Sequence, residues 1–202
     1  MGANSGRVVV SVNDRSYFGR QWLDQAKSAY ADGHVFSAFF SGYIALVCSA
    51  TQMMADSSKS GRIQRNYDDD AWERKSIEES FTMRSRQIAE FVDSDLGKRI
   101  TGQLRLREIP GEANSRIIST SGDQQFSKTV DLLNDFWSPV RMTPWNDASW
   151  EAHAKACAYL LRRVRNRLFH GEKLNDPNGS DAELLERLNP LLFGIVEIVL
   201  AH

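Results

Sequence analysis

Apolar positions recur at helical spacing over almost the whole chain. A first helix is predicted over 16–32, with Tyr17, Trp22, Leu23, Ala26 and Tyr30 on or near one face and Gly33 as its stop. Ahead of it, residues 1–15 read as an extended arm or short strand, from Val8, Val9 and Val10. Residues 35–55 then run without a formal charge for about six helical turns. Ala38, Ser41, Gly42, Ala45 and Ser49 recur there at helical spacing, which suits a helix packed closely against a neighbour. That length would also cross a bilayer. However, Ser37, Thr51 and Gln52 dilute the stretch, and no Lys/Arg cluster flanks it closely, so it reads as a buried central helix.

The middle is less regular. A polar loop leads to Asp68, Asp69 and Asp70, and helical spacing returns over 70–92 through Trp72, Ile77, Phe81, Ile88 and Phe91, with an interruption at Ser80, Phe81 and Thr82. Residues 97–122 mix signals, Leu104, Leu106 and Ile109 before Pro110 and Gly111, and read as an irregular insertion with a short strand. Helix resumes over 124–137 and is closed by Pro139 and Pro144. Trp150, Ala154, Cys157, Leu161, Val164 and Leu168 then step by three and four, one continuous core stripe. Gly171 ends that helix, Ser180 and Glu183 have capping-box spacing, and an apolar final helix follows with Pro190 as a kink. The expected fold is an all-α bundle of about five to seven helices, a single domain over 1–202.

The 202 residues suffice for one core without disulfides or metals, and 42% hydrophobic with 25% charged residues excludes a disordered chain or a fibre. A formal charge of −1 excludes a wholly basic nucleic-acid coat while allowing a local basic patch. Cys48 and Cys157 lie in apolar runs and read as two buried thiols rather than a disulfide, which points to a reducing cytoplasm. His34, His153, His170 and His202 lack metal-ligand spacing, so no metal or cofactor is expected. The start shows no signal peptide, and Gly6 stands where a myristoylation signal wants Ser or Thr.

Basic residues are dense in one stretch. Arg162, Arg163, Arg165, Arg167 and Lys173 surround His170 with one acid, Glu172, among them. Successive helical residues turn by about 100°, which puts Arg163, Asn166, Arg167 and His170 on the face opposite the core stripe and Arg165 on its flank. Basic residues in a last turn also simply complement the helix dipole, each by a few tenths of a kcal/mol to about one. Composition and spacing alone allow either reading.

The sequence Arg165-Asn166-Arg167-Leu168-Phe169-His170 resembles the Rx4–6H signature of HEPN domains, in its four-spacer form with a polar residue after the Arg. The motif closes a long penultimate helix before an apolar one, as in that superfamily. The likeness is strongest over 150–202, weaker over 16–55, and not detectable across 60–122. It implies a HEPN-like bundle acting as a metal-independent endoribonuclease, a homodimer in which two motifs meet in a composite cleft. Arg165, Asn166 and His170 would be catalytic, and Arg163, Arg167 and Lys173 would hold single-stranded RNA or tRNA. Such proteins serve as toxins or antiviral effectors in a microbial cytoplasm, so a cognate antitoxin or regulatory protein is a further expected partner and a membrane is not. The alternative is a non-catalytic HEPN-like module binding nucleotide or protein. Members silenced by AMP transfer carry Tyr two residues after the His; Glu172 stands there instead, so that control is not expected. Elsewhere, the three consecutive Asp residues and the Lys98, Arg99, Arg105 and Arg107 group read as solvated faces. Trp137 and Trp145 read as packing rather than base-stacking residues, and His153 as structural.

Overall fold

The computed structural model describes residues 12–57, 69–104, 124–169 and 180–201, and among these the chain is helical with no strand. The helices are α1 (Val12–Ala31), α2 (Val35–Ser57), α3 (Asp69–Met83), α4 (Ser85–Asp93), α5 (Asp95–Gln103), α6 (Gln124–Phe136), α7 (Asp147–Phe169) and α8 (Ser180–Leu200). The all-α class holds, but the described residues contain eight helices rather than five to seven. The stretch expected as one helix breaks at Arg84, whose ψ of 13° leaves the helical region, and so becomes α3 and α4. The expected interruption lay a few residues earlier, at Ser80 to Thr82.

Two further boundaries are corrected. The extended arm over 1–15 is too long, because 12–15 already belong to α1; Asn13 and Asp14 are residue types suited to a helix start. The irregular insertion over 97–122 is too long as well, since 97–103 lie in α5. The overlooked signal is Ser94, whose hydroxyl accepts from the Gly97 N–H at 3.1 Å and donates to the Phe91 carbonyl at 2.6 Å, joining the end of α4 to the start of α5. Leu104 follows as the C-cap of α5 and is fully buried, and residues 105–122 of that insertion lie outside the described residues.

Local chemistry explains the other ends. Gly33 takes φ of 78°, its N–H bonds the Tyr30 carbonyl and the His34 N–H bonds the Ala29 carbonyl, a Schellman closure that turns α1 back onto α2. Asn146 and Ser149 cap α7 reciprocally, each side chain accepting from the other's backbone N–H at 3.2 and 2.8 Å. α8 runs unbroken through Pro190.

Around these ends the helices form one hydrophobic core. α2 packs on α1, α8 and α3, while α7 packs on α4, α6 and α3, so α3 touches both centres. The small residues of α2 are buried as expected, and Gly42 lies where an added Cβ would come within 2.9 Å of Leu192 on α8. α2 is long and apolar enough to cross a membrane, and 56% of its most apolar stretch is buried in the bundle. Of the α7 stripe, Ala154, Cys157, Leu161 and Val164 are fully buried, and Leu168 packs at the margin. The two cysteines are not joined in a disulfide; Cys157 is buried, whereas Cys48, expected to be buried as well, is half-buried.

Candidate functional site

The basic end of α7 meets α2 and α3. Because α7 is wedged between α3 on one side and α6 on the other, the residues flanking its buried stripe point to different neighbours. Arg165 lies toward α3. Its Nη1 donates to the Asn166 Oδ1 at 2.9 Å, and its Nη2 lies 3.3 Å from Oε2 of Glu73. The guanidinium also sits 5.8 Å from the ring centre of Tyr43 on α2. Tyr43 in turn donates its hydroxyl to the other carboxylate oxygen of Glu73 at 2.9 Å. One turn earlier, Arg162 pairs with Glu78 at 3.4 Å.

This produces a polar knot of Tyr43, Glu73, Arg165 and Asn166 from three helices, set beside an apolar core. Burial first, and the Glu73 charge second, push the Tyr43 hydroxyl far above its ordinary range, so it remains a proton donor to Glu73. The Arg165 and Glu73 side chains keep only 23% and 19% of their surface exposed. Solvent therefore screens this pair less than a typical surface ion pair.

The sequence-predicted residues are divided by the fold. Arg165 and Asn166 are brought together. Arg163 points the other way, with its guanidinium 5.2 Å from the ring centre of Phe126 on α6. α6 thus covers the Arg163 flank of α7, away from the Glu73 contact of Arg165. Arg167 is half-buried in the last turn of the helix. His170 and Lys173 lie outside the described residues.

Glu73 and Tyr43 were not legible as site residues. Glu73 lies 92 positions from Arg165, and Tyr43 lies in a stretch that reads as core. The only available signal was chemical: a Tyr within an uncharged, buried helix needs an acceptor for its hydroxyl.

The remaining candidates resolve into packing. Trp137 is buried and donates its indole N–H to Nε2 of His153 at 3.1 Å. Trp145 packs at the core margin with the Arg141 guanidinium 4.0 Å from its ring centre. His153 is fully buried, with Phe136 and Trp145 around it. Lys98 pairs with Asp93 at 3.3 Å, and Arg99 is exposed. Asp68, Arg105 and Arg107 lie outside the described residues, as do the side chains of Asp69 and Asp70. Among the described residues no three His, Cys, Asp or Glu side chains converge as a metal-ligand set. Comparison of the chain with protein-family models, with curated proteins and with solved structures gives no match.

Proposed function

We propose that the protein is a metal-independent endoribonuclease of HEPN type, cleaving RNA at a site built around Arg165, Asn166 and His170. The observation that carries this reading is the side-by-side placement of Arg165 and Asn166, bonded at 2.9 Å, in the helical turn that leads into His170. Two of the three residues of the sequence signature are thereby held as a unit.

The chemistry suits these side chains. The 2′-oxygen attacks the adjacent phosphorus, the bond to the 5′-oxygen breaks, and a 2′,3′-cyclic phosphate and a 5′-hydroxyl result. A proton leaves the 2′-hydroxyl and another reaches the leaving oxygen. His170, of a type that titrates near neutrality, serves as general base or acid, a role worth about 10²–10⁴-fold. Arg165 stays cationic and stabilises charge on the phosphorane. Arg167 and Lys173 hold the RNA backbone in a salt-dependent way, with Arg163 adding charge from the α6 side. In this reading the protein is a homodimer with a composite cleft, a cytoplasmic toxin or antiviral effector under a cognate antitoxin or regulator.

The contact between Glu73 and Arg165 favours a second reading, a non-catalytic nucleotide- or protein-binding module, since an internal carboxylate already engages the guanidinium. Labelled single-stranded RNA and tRNA, incubated in EDTA with the wild type or with His170→Ala, separate the two. Cleavage by the wild type only, with cyclic phosphate ends, supports the nuclease. No cleavage by either supports the binding module, and equal cleavage by both removes His170 from the mechanism.

A further inference from the structure

α3 lays two carboxylates along the basic end of α7: Glu73 against Arg165 at 3.3 Å and Glu78 against Arg162 at 3.4 Å. The Glu73 contact is the more sheltered, for Glu73 is 19% exposed where Glu78 is 48% exposed. Glu73 is also tethered. Its second oxygen accepts from the hydroxyl of Tyr43, a residue only 3% exposed and fixed in α2. A phosphodiester and a carboxylate carry the same charge and seek the same N–H donors of a guanidinium. Both cannot sit against Arg165 without like-charge repulsion in a poorly screened setting.

We infer that Glu73, held by Tyr43, is a built-in competitor for the phosphate seat of Arg165, so that RNA engages by exchanging carboxylate for phosphate. This rests on the reading that Arg165 handles RNA phosphate, though not on cleavage itself. Replacing one monoanion by another gains little, so the contact lowers the affinity for RNA phosphate.

The test uses the full chain and a single-stranded 2′-O-methyl oligoribonucleotide, which lacks the attacking hydroxyl and cannot be cleaved. Affinity is measured for the wild type, Glu73→Gln, Arg165→Ala and the double variant. Glu73→Gln should raise affinity about threefold to tenfold, and the gain should vanish in the Arg165→Ala background. An equal gain in both backgrounds would reflect only the loss of a negative charge and would overturn the inference. A loss of affinity, or no binding by any variant, would overturn it too. Tyr43→Phe, which frees the tether but keeps the charge, provides a second reading should Glu73→Gln fail to fold. It should give a smaller gain that also depends on Arg165, and its absence would count against the inference. Cleavage in EDTA is scored separately: the affinity gain without any cleavage would keep the competitor and remove the nuclease.

Discussion

The hydroxyl of Tyr30 on α1 donates to the backbone carbonyl of Glu186 on α8 at 2.9 Å. Glu186 stands four residues before Pro190, which has no N–H to return to that carbonyl. The tyrosine thus supplies the hydrogen bond that the proline removes, and α8 runs on through the proline. Tyr30→Phe should lower stability by about 0.5–1.5 kcal/mol. In a Pro190→Ala background, where the helix can make its own bond, the same change should cost less. A double-mutant cycle by urea denaturation measures the difference, and equal costs in both backgrounds would contradict the account.

His153 gives the fold an acid-sensitive point. Its burial, reinforced by the charge of Arg141, pushes it from 6.5 down to about 3, while Trp137 donates to its Nε2. The unfolded chain therefore binds a proton below about pH 6.5 that the native chain refuses until about pH 3. This group's contribution is complete above the unfolded value and is lost as pH falls through that window, at about 1.4 kcal/mol per pH unit. Urea melts at several pH values should show a shallower acid slope for His153→Gln than for the wild type. Parallel slopes would mean that His153 is protonated in the native state.

Gly194 in α8 provides space for Phe91 of α4. A Cβ at that position would fall 2.3 Å from the ring Cζ, inside van der Waals contact. Helix propensity alone would favour Ala over Gly by about 1 kcal/mol, so the sign of the effect reports the clash. Gly194→Ala is expected to lower the midpoint of thermal unfolding, corresponding to about 1–3 kcal/mol, and Phe91→Leu should recover part of the loss. A stabilised Gly194→Ala would show that α4 yields readily.

For the proposed cleavage, Arg165→Lys keeps the charge but loses the planar fork that reaches both Asn166 and Glu73. The expected result is a fall in cleavage rate of about 10²-fold or more with an unchanged helical signal. Retention of most activity would place Arg165 outside the reacting centre.

The two thiols should differ in reactivity. Burial raises the Cys157 thiol well above its usual range, whereas Cys48 is half-buried on α2. A thiol reagent should label Cys48 in the native protein and reach Cys157 only on unfolding, as peptide mapping would report. Early labelling of Cys157 would mean that α7 opens locally.

Much of the helical framework was legible because a helix writes its own rules into nearby residues. The steps of three and four from Ala154 to Val164, the small residues of α2 and Gly33 at φ of 78° all act over a few positions, and each is where the sequence puts it. The boundaries at Arg84 and Ser94 were harder to read. Ser94 is an ordinary residue until its hydroxyl caps both α4 and α5, and a helical period cannot reveal a one-residue break.

The sequence by itself determined the all-α class, the buried stripe of α7, the uncharged α2 and the adjacency of Arg165 and Asn166, because each depends on residues within a few turns of one another. Only the tertiary structure decided which neighbours Arg163 and Arg165 meet, Phe126 of α6 for the one and Glu73 of α3 for the other. It alone brought Glu73 and Tyr43 to Arg165 across 92 and more positions of chain. Helical periodicity fixes the direction in which a side chain leaves its own axis. What it meets there depends on which helices pack alongside, and that is settled by the core as a whole.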